Sequence, residues 1–272
     1  MMRSLWTAAS GMKAQQTNVD TIANNISNVN TVGYKTQTTQ FKSLLYQTLA
    51  TETTTANGEQ KPSTAQVGLG TRVASLNSIF TQGAMLASES DSAFAIQGDG
   101  FFSVRNANNE ILYTRNGNFN WSLQNPTTLQ LSTQEGYAVL DQNGQPIVLP
   151  AGVTSGQVEV SSTGQIGYRN QQGQLTLTNF TIGLTQFNNP TGLEKTGNSF
   201  YKVTAASGNP MPEAQNANLV RSSIVQGYLE GSNVQVADEM VNLIVAQRAY
   251  ELNSKAITTS DTMLETANNL KR

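Results

Sequence analysis

The amino-acid sequence predicts an α+β protein, in which helices from both termini form one discontinuous coiled-coil domain and an antiparallel-rich β domain is inserted between them. Apolar residues recur in steps of three and four at both ends of the chain. The middle consists of short β-branched and aromatic runs separated by glycine turns. The 272 residues suit one large or two medium domains. We expect the helical domain at 1–45 and 232–272, an extended linker at 46–76 and the β-rich domain at 77–231.

The N-terminal helix is predicted over residues 4–28, with Ser4 as its N-cap. Its apolar positions form the seam of a coiled coil with one polar insertion. They are Leu5, Ala9, Met12, Gln16, Val19, Ala23 and Ile26. The opposite stripe is polar, so we expect the helix to pack through the seam.

The stretch ANNISNVNTVGYKT at 23–36 is rich in short amides. Asparagine competes for backbone hydrogen bonds and favours helix caps and turns. The helix should therefore end at Asn28 or Asn30, and Gly33 should supply a turn conformation before Tyr34. The tyrosine is either a functional anchor or a staple over the helix exit, and general grounds favour the staple.

The C-terminal helix is predicted from Val236 to Leu270. Five apolar residues recur every seven positions, namely Val236, Leu243, Tyr250, Ile257 and Leu264. The intervening seam positions are mostly polar: Met240, Gln247, Ser254, Asp261 and Asn268. The first half of this helix is apolar nearly all round, which is typical of a helix buried on several sides. An ordinary core helix of a globular domain explains the same pattern equally well.

Between the predicted helices the amino-acid composition and its periodicity change. The Thr-rich segment 50–66 has no period and predicts a loop or extended linker. From about 93 to 204 the runs AFAIQ, FFSVRN, ILYTRN, YAVLD, PIVLP, QVEVS, QIGYR and QLTLTNFTIGLTQF predict short strands. Glycine turns such as Asn116-Gly117 and Asn143-Gly144 separate them. This pattern favours an antiparallel sandwich or open barrel over alternating βαβ units.

The composition excludes several kinds of chemistry. The chain has no cysteine and no histidine, which removes disulfides, thiolate chemistry, histidine acid–base catalysis and nearly all zinc sites. Its net charge of −2 leaves no basic footprint for nucleic acid. GDGFF at 98–102 lacks the lysine of a phosphate loop, and Asp238-Glu239 complements a helix dipole. We therefore expect no catalytic residue, no cofactor and no metal site, although a glycosidase with two acids in the β domain stays open.

Three stretches carry a family resemblance. They are ANNISNVNTVGYK at 23–35, GDGFF followed by YTRNGNF at 113–119, and GYLEGSNVQVADEMVNLIVAQRAYELNSKAI at 227–257. In order and spacing they resemble the flagellar rod and hook axial proteins of bacteria, and together they cover nearly the whole chain. The stretches SLWTAASGMKAQQTNVDTIANN and FKSLLYQTL are most similar to the distal-rod members of that family.

The resemblance implies a structural subunit of the distal rod, which polymerises helically into a stiff hollow drive shaft. The shaft would transmit torque from motor to hook and enclose the export channel, with the terminal helices as inner tube and the β domain as outer tube. Implied partners are copies of the chain itself, adjacent rod and hook subunits, the flagellar type III export apparatus and, where an outer membrane exists, ring proteins. Neither nucleic acid nor a small-molecule substrate is expected.

The implied location is the basal-body rod. The first residues, MMRSLWTAASGMKAQQ, lack the apolar core of a cleavable signal peptide, which suits export through the flagellar apparatus. No run approaches the roughly 18 apolar residues of a membrane span.

The predicted assembly interface combines seam residues with the asparagine segment. Its members are Leu5, Met12, Val19, Asn24, Asn25, Ile26, Asn28, Tyr34, Val236, Met240, Leu243, Gln247, Tyr250, Ile257 and Leu264. Alternative interpretations are a neighbouring rod subunit of similar length, a hook-type subunit, and a cell-surface β-sandwich adhesion module with a helical stalk. An enzyme ranks third as a class.

Overall fold

The computed structural model describes residues 2–50, 65–125, 128–150, 152–170, 174–216 and 218–270. Two long helices, α1 (Met2–Ser27) and α2 (Val236–Asn269), flank the strands. The strands within the described residues are β1 (Gln37–Ser43), β2 (Tyr46–Ala50), β3 (Ala65–Gly68), β4 (Thr71–Ser78), β5 (Met85–Ala87), β6 (Phe94–Gln97), β7 (Phe101–Arg105), β8 (Ile111–Thr114), β9 (Asn120–Asn125), β10 (Thr128–Ser132), β11 (Ala138–Val139), β12 (Val158–Val160), β13 (Gln165–Arg169), β14 (Leu175–Thr181), β15 (Leu184–Gln186), β16 (Glu194–Gly197), β17 (Phe200–Lys202), β18 (Met211–Pro212), β19 (Ser223–Gln226) and β20 (Tyr228–Glu230). The predicted α+β class is confirmed.

The chain folds as two compact units. The first, here called the terminal unit, contains 1–27, 37–78 and 235–272. The second, the β unit, contains 79–234 together with the short segment 28–36. The asparagine-rich stretch is thus divided, because its helical part belongs to the terminal unit and the part after Ser27 belongs to the β unit.

The two helices of the terminal unit pack antiparallel through small residues. Ser4 Oγ lies 3.3 Å from Ser260 Oγ near one end of α1. At Gly11 an added Cβ would lie only 3.0 Å from Asn253 Nδ2, so glycine permits the close approach of the helices. The buried positions of α1 include Ala8 and Ala14, which are equally small.

This contact lies beside the predicted seams and not on them. In α1, Leu5, Met12 and Val19 are only half-buried, while the small residues next to them are buried. In α2 the buried residues are Glu239, Ala246 and Ser260. Large seam residues cannot approach a neighbouring backbone as closely as Gly or Ala can, so the intramolecular pairing uses the small residues. The finer prediction that helices from both termini form a coiled coil stays a prediction.

The predicted linker region contributes strands to the terminal unit. β1 pairs antiparallel with β4, from Gln37 opposite Ser78 to Ser43 opposite Thr71. β2 pairs antiparallel with β3, and residues 51–64, the centre of the predicted linker, lie outside the described residues. Many of the paired residues are β-branched or aromatic, which suits extended backbone.

The β unit is built from antiparallel pairs. Its largest sheet runs β16-β17-β8-β7-β11-β10-β9, and β15 joins β7 to β18. A second sheet is β12-β13-β14, and β6 and β5 pair with β19 and β20. Buried residues of these strands and of the segments between them form one apolar core: Phe94, Ile96, Phe102, Val104, Leu112, Phe119, Leu131, Val139, Ile147, Leu149, Val158, Ile166, Ile182, Leu184, Phe200 and Ile224. The predicted mostly antiparallel β region is confirmed.

The predicted glycine turn at Asn143-Gly144 is also confirmed. Gly144 has a φ of 74° and its N–H donates to Asp141 O at 3.1 Å. Asp141 Oδ1 accepts hydrogen bonds from the backbone N–H groups of Asn143 and Gln145.

Within the described residues, neither helix is long and apolar enough to cross a membrane.

Candidate functional site

The segment 28–36 begins with the turn that the asparagines predict. α1 ends at Ser27, and Asn28 O accepts a hydrogen bond from Thr31 N at 3.1 Å. Thr31 Oγ1 also donates to Asn28 Oδ1 at 3.1 Å. The prediction that the helix ends near Asn28 and that Gly33 supplies a turn conformation is confirmed, since Gly33 has a φ of 70°.

Gly33 lies directly against the backbone of another quoted motif. An added Cβ would sit 2.7 Å from Asn116 N and 2.8 Å from Arg115 C, so no larger residue fits. The Gly33 N–H donates to Glu230 O at 2.8 Å. The three stretches that carry the family resemblance therefore meet in the β unit, at Gly33, at 115–116 and at Glu230.

A buried charge cluster of Lys35, Arg115 and Glu230 occupies this meeting point. Lys35 Nζ donates to Glu230 Oε1 at 2.6 Å and to Thr81 O at 2.7 Å. Arg115 Nη1 donates to Glu230 Oε2 at 3.2 Å, and all three charged side chains are buried. The Gly83 N–H also donates to Glu230 Oε1, at 3.0 Å. The Glu230 carboxylate thus binds two cationic side chains and the backbone of the loop at Gly83.

The cluster carries an excess positive charge. Burial is the largest influence on the pKa of Lys35 and leaves it below its usual value; Arg115 also lowers this pKa, whereas Glu230 and, more weakly, the exposed Asp99 raise it. The Arg115 guanidinium lies 5.1 Å from the centre of the Phe101 ring, which partly compensates its charge. Its Nε atom has no hydrogen-bond partner among the described residues. Glu230 is therefore the group on which the stability of the cluster depends.

Asn233 joins segment 28–36 to the start of the continuous part of the β unit. Its Oδ1 accepts hydrogen bonds from Thr36 N at 2.8 Å and Thr36 Oγ1 at 2.7 Å. Its Nδ2 donates to Ile79 O at 2.8 Å and Thr81 O at 3.1 Å. Sequence reasoning missed Lys35, Arg115, Glu230 and Asn233. The available signal was their position inside the three quoted motifs, in a chain that carries few charges.

Asn25 performs a similar task in the terminal unit. Its Oδ1 accepts from Gln37 N at 2.9 Å, and its Nδ2 donates to Gln37 O at 2.8 Å. The same Nδ2 donates to Glu239 Oε2 at 3.2 Å, so the amide also touches the first turn of α2. Asn25 is 1% exposed, and its side chain satisfies both backbone groups of the first β1 residue.

The remaining residues of the predicted asparagine site lie nearer the surface. Asn24 is exposed, whereas Ile26, Asn28 and Tyr34 are half-buried. The ammonium of Lys195 lies 5.5 Å from the centre of the Tyr34 ring, within the β unit.

The helix α2 exposes most of its large apolar side chains. These include Val236, Met240, Val241, Ile244, Val245, Tyr250, Leu252 and Met263, each at least 40% exposed. Of the predicted seam residues, Leu243, Ile257 and Leu264 are half-buried and Gln247 is exposed. Exposed apolar side chains in this number on one helix are typical of a surface that packs against another protein.

A metal site is not found among the residues that the structure describes. The described residues contain no group of three or more acidic, histidine or cysteine side chains that could hold a metal ion.

Three family models match successive parts of the chain. "Flagella basal body rod protein" matches residues 5–35, "Flagellar hook protein FlgE/F/G D1 domain" matches 95–168, and "Flagellar basal body rod FlgEFG protein C-terminal" matches 225–270. Lys35 lies in the first of these ranges, Arg115 in the second and Glu230 in the third.

Full-length relatives decide the family. The chain is 43% identical to the flagellar basal-body rod protein FlgG of Borreliella burgdorferi, with all of both chains covered. The chain belongs to the flagellar basal-body rod protein family. The rod protein is also 37% identical to FlgG of Bacillus subtilis over the whole of both chains. It is 38% identical to FlgG of Agrobacterium fabrum over 96% of its own length and 97% of the relative.

These relatives confirm the predicted family and its FlgG branch. The rod protein is a structural subunit of the flagellar rod and is located in the basal body. Its similarity to the flagellar hook-basal body complex protein FlhP of Bacillus subtilis is lower, at 31% identity over the whole of both chains. The relatives named FlgG are structural rod proteins and not enzymes.

Proposed function

We propose that this rod subunit forms the distal rod, polymerising helically into a stiff hollow shaft that transmits torque from the motor to the hook and encloses the export channel. The observation that carries the proposal is the exposed apolar surface of α2. Helix α2 is 34 residues long, yet within the described residues it buries only Glu239, Ala246 and Ser260.

The stability of such a helix must come from contacts outside the chain. Isolated helices gain little from propensity and depend on packing of an apolar face. Leu252 is 68% exposed, and burying a leucine side chain fully contributes about 1.5–3 kcal/mol. Contacts between unlike surfaces that do not close into a ring extend into helical filaments. Neighbouring copies that cover this surface would thus stabilise the helix and build the shaft together.

The two units take different parts in this proposal. The terminal helices, within 1–45 and 232–272, form the inner tube, and large seam residues such as Leu5, Met12 and Val19 contact helices of neighbouring copies as a coiled coil. The β-rich residues 77–231 form the outer tube, and the predicted linker region 46–76 sets the spacing between subunits. Few exposed charges allow many copies to stack without repulsion, since only 12% of residues are charged.

The proposed partners follow from that position. They are further copies of the chain, the adjacent rod and hook subunits, the export apparatus and, where present, ring proteins around the rod. The asparagine segment and Tyr34 belong to the proposed assembly residues together with the helix seams. Asn25 is buried and bonds to Gln37 of the same chain, so in this proposal it acts by holding the subunit in the shape that assembles.

Electron microscopy of concentrated purified protein tests the assembly surface. The variant Leu252→Asp places a charge on the exposed face of α2 and should prevent filament formation. The matched control is Leu123→Asp, whose leucine is equally exposed at 69% but lies in the β unit. Filaments from both variants would contradict the proposal, and loss of filaments from Leu123→Asp alone would move the interface to the β unit.

A second variant tests the predicted seam itself. Leu243→Asp should block assembly while the β unit stays folded, because Leu243 lies in the terminal unit. Circular dichroism and tryptophan fluorescence report the fold of the monomer, so a general loss of structure can be told apart from a loss of assembly. Normal rod formation by this variant would refute the seam assignment.

A further inference from the structure

A polar cleft in the β unit has no part in the contacts described so far. Its volume is about 370 Å³, which lies in the range of small-ligand sites. Ile182 and Leu184, both buried, form its apolar floor. Its polar lining includes Glu213, Arg221 and Ser222.

One wall of the cleft is held by the buried carboxylate of Glu213. Its Oε1 accepts a hydrogen bond from Ser222 Oγ at 2.7 Å, and its Oε2 accepts one from Ser222 N at 2.8 Å. Gln186 Nε2 donates to the same Oε1 at 2.8 Å and to Val220 O at 2.7 Å. These hydrogen bonds hold the backbone on both sides of Arg221, at Val220 O and at Ser222 N, beside the cleft.

The cleft contains one charge of each sign, and they do not pair with each other. Glu213 is 5% exposed, and the donors to its carboxylate are an amide, a hydroxyl and a backbone N–H, all of them neutral. Arg221 is exposed and forms no ion pair with any residue that the structure describes. Three neutral donors satisfy part of the Glu213 carboxylate, and its negative charge has no cationic partner among the described residues, so an ammonium group that reaches it gains a charge-assisted hydrogen bond.

We propose that this cleft binds a small zwitterion of the amino-acid or short-peptide class. The ammonium of the ligand lies next to Glu213, and its carboxylate pairs with the guanidinium of Arg221, whose planar fork suits a carboxylate. Small side chains of the ligand rest on Ile182 and Leu184. The inference goes beyond rod assembly, because it concerns a small-molecule ligand. The cleft lies wholly within the β unit.

Isothermal titration calorimetry of the full-length monomer with alanyl-alanine tests the site. Two analogues separate the charges: N-acetyl-alanyl-alanine lacks the ammonium, and alanyl-alanine amide lacks the carboxylate. Each should bind about tenfold or more weakly than the dipeptide, since each loses one charge-assisted contact. No binding of the dipeptide by the wild-type protein, or equal binding of all three compounds, would overturn the proposal.

A variant then assigns the carboxylate contact. Arg221→Gln should weaken alanyl-alanine binding about tenfold or more and leave the binding of alanyl-alanine amide unchanged. The matched control is Arg169→Gln, because Arg169 is also exposed in the β unit but pairs with Glu159 at 2.6 Å. Equal affinity of Arg221→Gln and wild type would refute the site. The analogues on the wild-type protein test Glu213 without a substitution that could disturb its loop.

Discussion

Replacing Glu230 should destabilise the β unit much more than replacing Lys35, its partner in the buried ion pair. Both side chains are buried and their charged atoms lie 2.6 Å apart. Glu230→Gln leaves Lys35 and Arg115 as two buried cations without their anion. Lys35→Met leaves Glu230 with Arg115 at 3.2 Å and with the Gly83 N–H at 3.0 Å, and it removes the repulsion between the two cations.

The structure sets the size of each effect. Loss of one partner from a buried ion pair costs about 3–5 kcal/mol when the remaining charge is uncompensated, which is the case for Glu230→Gln. Lys35→Met loses the hydrogen bond to Thr81 O but leaves a neutral pair, so it should cost about 1–2 kcal/mol. The difference follows from the excess positive charge of the cluster.

Urea unfolding followed by tryptophan fluorescence measures both costs. The chain has two tryptophans, Trp6 in the terminal unit and Trp121 in the β unit. Trp6 is 75% exposed, so Trp6→Phe is a mild background in which fluorescence reports the β unit alone. Equal costs for the two variants, or a larger cost for Lys35→Met, would refute the argument that Glu230 compensates two cations.

Three further predictions concern the same units. Gly33→Ala should destabilise the β unit by about 2–4 kcal/mol, because its Cβ would meet backbone at 2.7 Å and its φ is 70°. Gly136→Ala is the control in the same urea assay, since φ there is 84° but no atom lies within 4 Å, and an equal effect would exclude the steric cause. Asn25→Leu should lower the stability of the terminal unit, read from the far-UV circular dichroism of α1 and α2, by about 1–3 kcal/mol, because both Gln37 backbone groups lose their partner. Asn24→Leu, at an exposed site, should change little, and unchanged stability and assembly in Asn25→Leu would make the segment merely a loop. Desolvation lowers the pKa of Lys195 from 10.5 to about 8, so between these values the unfolded chain binds more protons and the free energy of unfolding should rise with pH. This rise in the free energy of unfolding should be small, because the exposed Lys195 keeps contact with water. It should shrink in Lys195→Gln. Above pH 10.0 the free energy of unfolding should fall instead, because the pKa of Tyr201 is raised and the unfolded chain then loses that proton first. A fall in urea midpoint between pH 8 and 10 would contradict this sign.

Periodicity was enough to place the two helices. The predicted N-terminal helix, 4–28, and the observed α1, Met2–Ser27, differ by two residues at the start and one at the end. The predicted end of α2 at Leu270 is one residue beyond the observed Asn269. Apolar spacing is a local signal, and so are the glycine turns of the β unit, whereas the prediction of Ser4 as the N-cap was wrong because α1 already begins at Met2.

The partner of each helix face could not be predicted from periodicity. Apolar spacing marks the large residues, yet the helices approach each other at Gly11 and Ala246, where small side chains permit contact. Periodicity shows that Leu252 lies on an apolar face but does not show whether this chain or another copy covers it. Only the packed structure shows that the face is left exposed.

The buried charge cluster was beyond sequence reasoning for a different reason. Lys35, Arg115 and Glu230 are far apart in the chain, and charged residues are almost always placed at the surface. Their burial depends on three distant segments meeting at one point, which no local pattern encodes. Asn25 was singled out for its residue type, but its contact with the backbone of Gln37 depends on the same kind of long-range packing.

Thiol labelling of L252C in purified basal bodies tests the central claim most directly. The chain has no native cysteine, so the introduced thiol is its sole labelling site. In dilute monomer the thiol should react freely with a maleimide, because Leu252 is 68% exposed there. In the assembled rod the account predicts protection of this thiol by neighbouring subunits. Equal labelling of the monomer and the assembled rod would show that the exposed face of α2 is not the assembly surface.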